Sequence, residues 1–77
     1  MTGELGLYNR DIDVATQMII KARVADGDTT ISTYYVMDTL GCVTGATKHA
    51  VRWGFRAAKN AGLIVKGDGV GVYNIIG

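Results

Sequence analysis

Residues 45 to 61 read as one helix with two incompatible sides, and that segment restricts the fold more than any other. Wound at about 100° per residue, Ala50, Val51, Gly54, Phe55, Ala57, Ala58 and Ala61 share one arc. Lys48, His49, Arg52, Trp53, Arg56, Lys59 and Asn60 occupy the other. Thr44 is suited to cap the start and Gly62 to close the end. The apolar arc must face a core, and Gly54 in mid-helix costs roughly 1 kcal/mol relative to alanine. That cost makes sense if a second helix crosses close to it.

The remaining elements arrange themselves around this helix. An amphipathic helix is predicted from Ile12 to Ala25, capped by Asn9 or Asp11, with Val14, Ala15, Met18, Ile19, Ala22 and Ala25 on its inner arc. Ile20 and Val24 lie off that arc. Thr29-Thr30-Ile31 is β-branched and suits a brief strand. Ser32 then caps a short helix from Thr33 to Leu40, ended by Gly41, with Val36 and Leu40 inside. Tyr34 and Tyr35 are adjacent, so one helix face cannot bury both. After Gly62, Leu63 to Lys66 and Val70 to Ile76 flank the glycine turn Gly67-Asp68-Gly69 as a β-hairpin. The expected core joins Val51, Phe55 and Leu63 to Met18, Ile19, Val36 and Leu40.

The 77 residues suffice for one domain, in which only about 60% of the unfolded surface is buried on folding. Hydrophobic residues at 48% and charged residues at 19% exclude a disordered tail. One cysteine, Cys42, excludes an intrachain disulfide and a cysteine-cluster zinc site, and it favours a reducing compartment. No apolar run approaches the roughly 18 residues of a membrane span. The opening residues lack the pattern of a signal peptide, so the expected location is the cytoplasm.

Charge divides the chain. Residues 39 to 67 hold Lys48, Arg52, Arg56, Lys59 and Lys66 and no acidic residue, for +5, whereas residues 1 to 38 hold three cations and six anions, for −3. With Asp68 the whole reaches +1, which conceals a contiguous basic third. Such a block points to a polyanion.

The order helix, short strand, helix, helix, hairpin, with Leu40-Gly41 before the turn, Thr44-Gly45-Ala46-Thr47 opening the basic helix, Val51 and Phe55 inward and Ala61-Gly62-Leu63-Ile64 entering the hairpin, resembles the winged-helix regulators of bacteria and their phages. The likeness spans residues 29 to 76. It implies an α+β fold of three helices with a C-terminal β-hairpin wing. Residues 1–8 would be an N-terminal extension, 32–61 the helix-turn-helix and 63–76 the wing. It also implies that the basic helix enters the major groove of double-stranded DNA beside the wing, in a regulator of transcription.

Lys48, Arg52 and Arg56 repel one another by a few tenths of a kcal/mol per pair at four-residue spacing, with no acid in the helix to offset them. Phosphate contacts would offset this. Lys48, Arg56, Lys59 and Lys66 are assigned to phosphates, Arg52 and His49 to base edges. Thr44 and Thr47, and Ser32 and Thr33, stand at helix starts where free amides favour anions. Trp53 either stacks on a sugar or base or packs against the wing or the first helix. A lone histidine without a neighbouring nucleophile gives no catalytic site, and Gly67-Asp68-Gly69-Val70-Gly71 precedes a strand rather than opening a helix, so no nucleotide cofactor is expected. Since small modules bury limited area on DNA, a homodimer or a larger partner is expected to add affinity, with Leu5, Leu7, Ile20 and Val24 as candidate contacts. The rival reading is a small adaptor or inhibitor whose basic face binds an acidic protein.

Overall fold

The computed structural model describes residues 9–76. Helix α1 spans Asn9–Ala25, strand β1 Thr30–Ser32, helix α2 Thr33–Leu40, helix α3 Gly45–Asn60, strand β2 Ile64–Lys66 and strand β3 Val72–Ile75. The fold is α+β with a winged-helix layout. Strands β2 and β3 form the antiparallel wing, and β1 joins β3 on its other edge, giving the order β1-β3-β2.

The punctuation residues act as the sequence predicts. Ser32 accepts a hydrogen bond from the Tyr35 amide at 3.0 Å, fixing the start of α2. Gly41 ends α2 with φ 68°, in the left-handed region where a side chain would be strained. At the start of α3, Thr44 and Thr47 form a reciprocal capping box, each hydroxyl accepting from the other residue's amide at 3.1 Å. The turn between α2 and α3 therefore has both of its helix ends closed by local bonds. Cys42 is buried within that turn.

The core gathers under α3. Val51, Phe55 and Ala58 meet Val36, Met37, Ile31 and Ile64, with Leu40, Leu63 and Ile75 packed at its margin. Tyr73 brings its ring centroid within 5.1 Å of that of Phe55, coupling the sheet to α3. Because Lys66 pairs directly with Tyr73, both lie on the sheet face turned toward α3.

Helix α1 is turned by roughly a third of a turn from the expected face. Ile12, Thr16 and Ile20 point inward, Ile19 and Val24 lean on the core, and Val14 and Met18 are 51% and 65% exposed. The reason is steric. α1 packs most extensively on α3, and it does so where Gly54 leaves no room for anything larger. A Cβ on Gly54 would stand 2.6 Å from the Thr16 Cβ and 2.9 Å from the Asp13 carbonyl oxygen. The close crossing inferred from Gly54 is present, but the residue it meets is a threonine that an apolar wheel discards. Ile20 is consequently a core residue and not a subunit contact, and Val24 is half-buried against the same core. Leu5 and Leu7, the other expected subunit contacts, lie outside the described residues.

Thr33 is also corrected. It is buried, and its amide donates to the Gly71 carbonyl at 2.8 Å. Gly71 has φ 73° and lies so near that a Cβ there would come within 2.6 Å of the Thr33 Oγ1. Instead of meeting phosphate, Thr33 ties the end of the wing turn to the start of α2.

Candidate nucleic-acid interface

Helix α3 presents Lys48, His49, Arg52, Trp53, Arg56 and Lys59 to solvent. Its inner side is fixed by Val51, Phe55, Gly54 and Ala58, so the outer register has no freedom. Among the described residues the single salt bridge joins Arg23 to Asp28 at 2.8 Å, and none of the α3 cations is paired. The stripe is therefore available to an external anion. Lys66 is exposed on β2, on the α3 side of the wing.

The hydroxyl residues cap their helices. Thr44 and Thr47 spend their side chains on each other, with the Thr47 Oγ1 also donating to the Thr44 carbonyl at 3.0 Å. They set the position of the α3 start, whose first amides have no intrahelical partner. Ser32 is half-buried and used as the α2 cap. Burial pushes the Cys42 thiol up from its ordinary value, while hydrogen bonding with Thr47 acts in the opposite sense. The thiol is consequently protonated and unreactive near neutral pH.

Trp53 is not packed in the core: it is 59% exposed, and its ring meets that of His49 edge-on at 5.8 Å between centroids. The two rings border a groove of about 330 Å³ shared with Ala46, Ala50 and, from α1, Arg10 and Asp13. The aromatic pair thus sits at the α1 edge of the basic stripe.

Three exposed residues carry no site assignment from the sequence. Tyr34 projects from the first turn of α2, with a ring carbon 3.1 Å from where a Cβ on Gly71 would be. Val70 is exposed at the wing turn, and Arg10 borders the groove. The adjacency of Tyr34 and Tyr35 was the available signal, since it required at least one to be outside. Both are, Tyr35 lying beneath the Arg23 guanidinium at 4.4 Å.

Among the described residues no cluster of three or more His, Cys, Asp or Glu side chains could hold a metal ion, and no helix is long and apolar enough to cross a membrane. Comparison with protein-family models, curated proteins and solved structures found no match, so the site is interpreted from its own residues.

Proposed function

We propose that this protein binds double-stranded DNA and regulates transcription, laying α3 in the major groove with the β2–β3 hairpin as a wing beside it. One observation carries the reading: Lys48, Arg52, Arg56 and Lys59 line one exposed helix face with no acidic partner among the described residues. Four uncompensated cations on a single helix lower its stability slightly, and a row of phosphates turns that cost into affinity. Arg52, in the middle of the face, reads base edges, and His49 adds a second polar contact. Lys48, Arg56, Lys59 and Lys66 hold phosphates.

The activity is binding, not catalysis, and the cytoplasm is the compartment in which the protein meets its DNA. A second copy raises affinity beyond what one small module attains. With Ile20 in the core, the apolar residues that α1 offers such a copy are Val14 and Met18.

The test is binding to random duplex DNA at two salt concentrations. Phosphate contacts from Lys48, Arg56, Lys59 and Lys66 predict a slope of log affinity against log salt of roughly −3.6. A flat response would refute the reading and favour an acidic protein as the partner of the same stripe.

A further inference from the structure

Phosphate binding by the stripe leaves the groove between α1 and α3 without a role. Ala46 and Ala50 are too small to cover the Trp53 ring, so an indole face stays open on a helix that is otherwise basic. Across the groove from the two rings stand a guanidinium, Arg10, and a carboxylate, Asp13. The Asp13 Oδ1 accepts from the Gln17 Nε2 at 2.9 Å, which holds the carboxylate in place, and among the described residues its second oxygen has no hydrogen-bond donor.

We propose that this groove takes one unpaired nucleobase from the DNA strand that crosses the α3 stripe. The inference rests on the DNA-binding reading above and adds a base site to it. Its occupant is indicated by three complementarities. A volume of about 330 Å³ admits a single planar ring system with water at its margin. An exposed indole stacks on a base, and base–aromatic stacking is a main source of single-strand affinity. A carboxylate accepts from adjacent N–H donors, which the Watson–Crick edge of guanine supplies and which pairing would conceal. The site is also continuous with the phosphate face: His49 and Trp53 alternate with Arg52 and Arg56 at helical spacings of three and four. A strand held by those arginines therefore passes the mouth of the groove.

Trp53 is the sole tryptophan of the chain, so intrinsic fluorescence of the intact protein reports on the groove directly. The experiment compares three ligands: a fully paired duplex, the same duplex with one bulged guanine, and free guanosine monophosphate. We expect the bulged duplex to quench Trp53 and to bind about tenfold more tightly than the paired one. The free nucleotide should not quench at the same concentrations, because it lacks the flanking phosphates. Trp53→Leu and Asp13→Asn should each remove the preference for the bulge, while paired-duplex affinity and the thermal midpoint stay unchanged.

Equal affinity for paired and bulged duplex, or a preference that survives Trp53→Leu, would overturn the base site and return the groove to another occupant, such as an apolar side chain of a partner protein. Quenching by guanosine monophosphate as strong as by the bulge would reassign it to free nucleotides and overturn the strand assignment. Paired-duplex binding that is sensitive to Arg52→Ala, without a bulge effect, would leave the DNA reading intact and sink only the groove. No binding to either duplex would overturn both.

Discussion

Gly54 of α3 and Thr16 of α1 meet at a close helix crossing, where a Cβ added to the glycine would stand 2.6 Å from the threonine Cβ and 2.7 Å from its Cγ2. This contact sets the rotation of α1, because no other inward position on that helix faces a residue without a side chain. It also sets which side of α3 is left for solvent, and hence where the cations point.

Gly54→Ala should destabilise the protein even though alanine is the better helix former. Helix propensity would contribute about 1 kcal/mol in favour, but overpacking at a rigid contact costs typically 1 to 3 kcal/mol and more when backbone is involved. Here the Asp13 carbonyl oxygen, 2.9 Å away, cannot swing aside. Thr16→Ala should not rescue the variant, since its own Cβ remains. Urea denaturation of the single and double variants checks this, and a Gly54→Ala protein as stable as the parent would disprove the close crossing.

Thr16→Val should stabilise. The Thr16 Oγ1 is buried and has no hydrogen-bond partner among the described residues, so the hydroxyl carries a desolvation cost without return. Valine keeps the shape and removes the polar atom. A gain of about 1 kcal/mol is expected, which for a domain of this size raises the thermal midpoint by roughly 4 to 8 °C. A lower midpoint would show that the hydroxyl has a partner.

These two residues also mark what sequence could and could not reveal. Gly54 announced a crossing, and Ser32, Gly41, Thr44 and Gly62 announced the ends of α2 and α3, because each acts through its own backbone neighbourhood. The inner face of α1 was hidden because Thr16 counts as polar on a wheel, while Val14 and Met18 count as apolar. Only the position of α3 decides between them. Thr33 was hidden for a similar reason: its partner, the Gly71 carbonyl, comes from the far end of the wing. The basic stripe was legible in full, since α3 has a single inner arc. The groove beside it was not, because Arg10 and Asp13 reach it only through the rotation of α1.

Stability measurements on α1 should follow the observed rotation. Ile20→Ala, at a fully buried position, should cost about 2 to 5 kcal/mol, and Phe55→Ala about 3 to 5 kcal/mol. Met18→Ala should fall within about 0.5 kcal/mol of the parent, as exposed substitutions do. Chemical denaturation of the three variants tests the packing, and a Met18→Ala loss as large as that of Ile20→Ala would restore the rejected face.

The α3 cations should separate binding from folding. Arg52 and Arg56 are exposed and unpaired among the described residues, so replacing either with alanine removes repulsion within the helix and no internal contact. Thermal midpoints should stay within a degree or two of the parent or rise slightly, given a few tenths of a kcal/mol per like-charge pair. Duplex affinity should fall in both variants, and for a phosphate contact the slope of log affinity against log salt should shrink by about 0.9. Arg56→Ala should show that shrinkage with equal losses on all sequences. Arg52→Ala should instead narrow the gap between preferred and random duplexes, by about 1 to 3 kcal/mol if the guanidinium grips a guanine edge. Parental affinity in both variants would remove α3 from the interface, since no other described element carries an unbroken basic face.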